Sequence, residues 1–272
     1  MTRQFLLPKK PAWAVASAVI VVASLILAFV ASFFRPLDPG RGVCLWFGIV
    51  ASVLFVGLAL YPARRRALAR PFGTAQTWIQ MHLWGGFLAA IFVFVHQAFR
   101  LPGGTMGWLL FLLTIWVTLS GMLGVFLQKY YPVLLSRNLA VEVLFDRIPE
   151  LVGRLPGEGD KLVEGTSDVL RGFYQSEVRP SLAGIAPSWG YLSDVRGGRE
   201  RRLAPFARIL QFLTEEEQRK LEDLKTIFIE KLELDAHYSV QRALRLWTVL
   251  HVPPAGVLMG LLAVHVIAFF LY

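Results

Sequence analysis

The chain has 272 residues, 55% of them hydrophobic and 17% charged, the charged share falling well under the roughly 25% usual for soluble domains. Its formal net charge is +9 and it carries one cysteine, Cys44, which excludes a cysteine-ligated cluster, a structural zinc knuckle and a disulfide framework within the chain. The apolar letters gather into five uncharged runs, 11–34, 42–63, 71–99, 101–128 and 246–272, each longer than the ~20 residues a helix needs to cross the hydrocarbon layer, so a soluble globule and a disordered chain are both excluded.

The expected fold is an all-α membrane protein, a five-transmembrane-helix bundle with a helical cytoplasmic insertion between spans four and five. Transmembrane helices 1–4 occupy 1–131, the insertion 132–245 and transmembrane helix 5 246–272. The first run lacks a small-residue cleavage site and reads as a retained helix, not a removed signal peptide. Arg3, Lys9 and Lys10 precede it, Arg64, Arg65, Arg66 and Arg70 lie between spans two and three, Lys129 and Arg137 follow span four, and Arg242 and Arg245 precede span five. Only Arg35, Arg41 and Arg100 fall on the opposite side. Short loops rich in Lys and Arg stay in the cytoplasm, so the expected location is the inner (cytoplasmic) membrane, multi-pass, with the N-terminus inside and Tyr272 outside. This topology also accounts for much of the positive charge, leaving no call for nucleic acid as a partner; membrane lipid is the expected one.

Eighteen of the 19 carboxylates lie between residues 142 and 235, and none lies within a span. Their absence from the spans argues against a pump or ion-coupled transporter. In the insertion, Glu142 to Leu155 has apolar residues at helical spacing interrupted by Pro149, and the Pro- and Gly-rich stretch 180–205 reads as irregular. Thr214 to Glu217 has the form of a capping box. From there helix-compatible residues run to Trp247 without Gly or Pro, which predicts one long helix entering span five unbroken.

Span three holds His82 and His96, and span five holds His251 and His265. Both pairs are separated by 14 residues, which on a helix is about 40° short of four turns and about 21 Å of rise, so each pair shares a face. Both spans run from inside to outside, so His82 stands level with His251 and His96 with His265. Facing imidazoles at two levels suit two stacked haem b groups, His82 and His251 on the inner iron and His96 and His265 on the outer. Six-coordinate bis-histidine irons have no vacant position, which favours electron transfer over ligand activation. The competing reading is of polar residues packing between helices; a single zinc or copper site using all four is excluded by the separation.

Gly85 and Gly86 on span three, Gly121 and Gly124 on span four, Gly48 and Gly57 on span two, and Gly256 and Gly260 on span five offer room for a porphyrin, with small-residue packing between spans as the alternative. Arg242, Arg245 and the Arg64–Arg70 group suit propionates of the inner haem, and Arg100 those of the outer. His237 has no partner histidine and, beside Asp235, Tyr238 and Gln241, reads as a solvated or domain-packing residue. Trp78, Gln80, Trp84, Arg245 and Trp247 are loose candidates for a quinone pocket, against the interfacial aromatic belt.

The pattern of His82/His96 and His251/His265 on two parallel helices resembles the dihaem membrane cytochromes b. It is similar to the cytochrome b of quinol:cytochrome c oxidoreductases and to the transmembrane domain of ferric reductases and NADPH oxidases. The Pro-Glu-Trp-Tyr quinol motif of the first is missing, the flavin and nicotinamide module of the second is not found after the last span, and the insertion of about 110 residues matches neither. The resemblance implies a cytochrome subunit carrying electrons across the bilayer between the quinone pool and an extramembrane redox subunit: a multihaem cytochrome c, an iron–sulfur protein or a hydrogenase-like enzyme. The alternatives are a stand-alone transmembrane ferric or metal reductase and a non-redox membrane scaffold.

Overall fold

A computed structural model describes residues 11–61, 75–138, 145–188 and 195–271. Among these residues every regular element is helical. The basic positions Arg3, Lys9, Lys10 and Arg64 to Arg70 lie outside them. The chain divides into two compact units, Met1–Val125 with Thr248–Tyr272, and Phe126–Trp247.

The first unit contains α1 (Pro11–Phe34), α2 (Gly42–Ala59), α3 (Ala75–His96), most of the apolar part of α4 (Gly104–Asn138) and the end of the last helix, α9 (Glu215–Leu271). These five helices are long and apolar enough to cross a membrane. A helix satisfies its own backbone hydrogen bonds, which hydrocarbon would otherwise leave unmet. Large side chains such as Phe33, Phe34, Trp46 and Phe270 face outward, as helices suited to lipid require. Large and small residues interlock in the inner packing: Ala28, Phe47, Ala51, Phe92 and Val95 form one cluster where α1, α2 and α3 meet. Among the described residues α3 lies closely against α2, and no comparable backbone approach joins α3 to α9. α3 stops abruptly after His96. Ala98 (φ 51°) and Phe99 (φ 59°) take left-handed backbone, and the Phe99 N–H reaches back to the Phe94 carbonyl at 3.1 Å.

The second unit holds α5 (Ile148–Leu162), α6 (Asp168–Phe173), a π turn at Tyr174–Val178, α7 (Arg179–Leu182), α8 (Val195–Ile209) and the first part of α9. Pro149 does not interrupt a helix; it sits in the first turn of α5, where its missing N–H costs nothing. The stretch expected to be irregular is helical over Val195–Ile209, despite Pro205, because Leu203, Phe206 and Ile209 line one face that packs into the unit's core. Burial outweighs propensity there. Tyr174 is fully buried and donates to the Asp160 carboxylate at 2.7 Å. A Cβ on Gly159 would lie 2.8 Å from its ring, so only glycine admits it.

The capping box is present: the Glu217 carboxylate accepts from the Thr214 N–H at 3.2 Å while the Glu217 N–H reaches the Thr214 hydroxyl at 3.4 Å. The same carboxylate accepts the Ser167 N–H at 2.9 Å, joining the starts of α6 and α9. Hydrogen bonds from Ser167 above all, and from Thr214, hold its carboxyl down at about 2, against an ordinary 4.5. A depressed carboxyl stabilises the folded form fully above its unfolded value and loses that contribution as pH falls through the folded one. Glu217→Gln is therefore expected to flatten the acid loss of helicity between pH 4.5 and pH 2, followed by circular dichroism.

The face around His237 is not wetted. His237, Asp235, Lys231 and Ser239 are all buried. Lys231 and Asp235 pair at 2.6 Å, the Asp235 carboxylate also accepts the Ala186 N–H at 3.0 Å, and Ser239 Oγ accepts the Ser188 N–H at 3.1 Å. Charges one turn apart on a helix read as surface in sequence; here the segment 186–188 covers them. Asp235→Ala would leave the Lys231 ammonium buried without its counter-ion, and a loss of about 3–5 kcal/mol is expected, measured as a lowered thermal midpoint of the purified chain.

Candidate cofactor-binding site

The structure brings four histidines into two pairs within the first unit. The ring centroids of His82 and His251 are 6.4 Å apart with planes at 70°. Those of His96 and His265 are also 6.4 Å apart, with planes at 80°. The order of pairing is the same along both helices, so α3 and the end of α9 run in the same direction. Fourteen residues of helix place the two levels about 21 Å apart. Midway between them, Ala89 of α3 and Leu258 of α9 pack with Phe55 of α2 in one buried cluster. Each of the first two stands seven residues from both histidines of its own helix.

Neighbouring groups fix the ring nitrogens. His96 Nδ1 lies 3.0 Å from the Cys44 carbonyl, which can only accept, so Nδ1 carries hydrogen and Nε2 presents its lone pair. The carbonyl is reachable because Gly48 stands one turn further along α2. A Cβ there would lie 2.5 Å from His96 Nδ1. His251 Nδ1 shares a 2.9 Å hydrogen bond with Ser120 Oγ of α4, and a Cβ on Gly121 would meet the same imidazole at 3.4 Å. His82 Nδ1 is buried without a hydrogen bond of good geometry, and the Tyr61 ring packs 5.1 Å from its imidazole.

Two imidazoles that share one metal in line, with nitrogen–metal bonds of about 2.0 Å and ring nitrogens about 1.2 Å from their centroids, place those centroids about 6.4 Å apart. Plain edge-to-face ring contacts also fall within 4.5–7 Å. The hydrogen bond from Nδ1 of His96 to a carbonyl is the arrangement in which a histidine leaves Nε2 free to ligate a metal. Among the described residues no three metal-ligating side chains converge. The protein brings two imidazoles per level, so any metal held there would need further donors from elsewhere. A planar macrocycle that supplies its own equatorial nitrogens would suit a donor set of two imidazoles per level.

The remaining sequence candidates divide. Gly121 touches the His251 ring, and Gly124, one turn along α4, is buried. Gly85 and Gly86 instead face Leu58 of α2 at 3.3 and 3.8 Å from their built Cβ positions, which is helix packing. Gly256 and Gly260 stand in open space, about 140–180° around α9 from His251. Arg100 and Arg242 are exposed. Arg245 is engaged in the second unit, 3.2 Å from Asp146 and 4.0 Å over the Phe145 ring. Trp84 donates its indole N–H to Gln80 at 2.9 Å. Both lie two residues from His82, hence about 200° around α3 and facing away from the paired rings. Trp247 packs with Leu127 and Val240 in the second unit. Ser120, the Cys44 carbonyl and Tyr61 were not singled out by the sequence reading; a hydroxyl within an apolar span was the available signal for Ser120.

Comparison with family models, with curated proteins and with solved structures finds no match to this chain.

Proposed function

We propose that the chain is a membrane-embedded dihaem b-type cytochrome that carries electrons across the bilayer between the quinone pool and an extramembrane redox partner. The observation that supports this is the recurrence of a histidine pair at 6.4 Å on the same two helices. In this reading the bundle has five spans, with the second unit on the cytoplasmic side, the His82/His251 pair near that side and the His96/His265 pair near the other.

Haem b, when bound, supplies a one-electron couple at each level. His82 with His251, and His96 with His265, would hold it, and two imidazoles committed at each level would favour electron transfer over activation of oxygen or substrate. The Cys44 carbonyl and Ser120 orient His96 and His251. Ala89, Leu258 and Phe55 exclude water between the levels. Outward apolar side chains keep both sites within lipid.

Purified chain is expected to show a Soret band, a sharp low-spin α band on reduction, and two haem b per polypeptide by pyridine haemochrome assay. A colourless preparation, even after haem is supplied during expression, would overturn the reading.

A further inference from the structure

The end of α9 contains two adjacent prolines, Pro253 and Pro254, within a helix that continues to Leu271. A proline gives no N–H to the carbonyl four residues before it. Pro254 therefore leaves the Leu250 carbonyl without its helical partner, and Leu250 immediately precedes His251. In hydrocarbon such a group needs a donor from a neighbouring helix. Trp116 of α4 supplies it: its indole N–H donates to the Leu250 carbonyl at 2.9 Å. One turn along the same face of α4, Ser120 Oγ meets His251 Nδ1 at 2.9 Å. Ser120 is buried, and its hydroxyl also lies 3.1 Å from the Val117 carbonyl, to which it can donate. With its proton there, Ser120 accepts from His251 Nδ1–H, which leaves the lone pair on Nε2.

We infer that Trp116 and Ser120 form a two-point clamp on the proline break of α9 that sets the rotation and tautomer of His251 and tunes the metal it holds. The inference rests on the proposed haem reading. Both are positioning residues, acting through the backbone before His251 and through its ring. A hydrogen bond accepted from Nδ1–H raises the basicity of the opposite nitrogen, and a more basic axial ligand favours the oxidised metal. Loss of the acceptor should therefore raise the reduction potential of this level and leave the other untouched. The two levels differ in this respect, since His96 is oriented by a backbone carbonyl of α2 that side-chain substitution does not remove.

The test is a redox titration of the purified full-length chain, following the α bands. Ser120→Ala is expected to move one of the two midpoint potentials upward while the other stays in place, and Ser120→Thr, which restores an acceptor oxygen, is expected to return it. Trp116→Phe is expected to broaden or shift the same couple and not the other. If Ser120→Ala does not retain haem at this level, Ser120→Cys, with a weaker acceptor at the same point, reads the shift. Two unmoved potentials in a Ser120 variant that keeps both haems would overturn the clamp while leaving the haem reading intact. A wild-type chain without a Soret band would overturn the haem reading itself.

Discussion

Replacing His251 with alanine is expected to reduce the haem content of the purified chain from two per polypeptide to one. The remaining haem should keep the spectrum and midpoint potential of the His96/His265 level, because about 21 Å of helix and the Ala89, Leu258 and Phe55 layer separate the sites. His82 would face a site with one axial nitrogen, and a five-coordinate metal there binds carbon monoxide readily. Haemochrome assay and the carbon monoxide difference spectrum measure both outcomes. Loss of both haems together with the helical circular dichroism would indicate misfolding; His251→Met, which keeps bulk and an axial donor, then carries the comparison. Retention of two unaltered haems in His251→Ala would contradict the pairing.

Gly48→Ala is expected to act on the other level with comparable force. The added Cβ would stand 2.5 Å from His96 Nδ1, 2.7 Å from Cε1 and 3.0 Å from Cγ, so the imidazole must swing away from the Cys44 carbonyl. It then loses both its orientation and its 6.4 Å distance from His265. One methyl group on α2 should remove or convert to high spin the haem held by α3 and α9, with the His82/His251 level unchanged. Gly57, two and a half turns away, has open space around a built Cβ, so Gly57→Ala is the control expected to keep both haems. Loss in the control as well would show that α2 tolerates no methyl group for reasons of span packing alone.

Much of the architecture was legible because hydrocarbon imposes its own grammar: long uncharged runs had to be helices, and the 14-residue spacing of His82/His96 and His251/His265 placed each pair on one face. The same angular arithmetic would have turned Gly256 and Gly260 away from those faces, as the structure does, and would have named Ala89 and Leu258 as midpoints. The supports of the histidines were harder to read. The Cys44 carbonyl belongs to the backbone and has no letter of its own, and Gly48 matters through the absence of atoms. The burial of Asp235 beside His237, and its pairing with Lys231, could not be read because a charge shows its burial only once the segment covering it is known. Pro149 and Pro205 misled for a related reason, since a proline's meaning depends on whether it falls in a first turn or beneath a packed apolar face.

The layer of Ala89, Leu258 and Phe55 has a consequence for filling the chain with electrons. Its side chains carry no polar atom to respond to a change of charge, so with haem at both levels each would sense the other's oxidation state across it. Two unit charges about 21 Å apart at an effective dielectric constant of about 20 interact by about 0.8 kcal/mol. The second electron would enter less easily than the first even if both ligand sets were identical, an anticooperative ladder in which the occupied level prompts its own discharge.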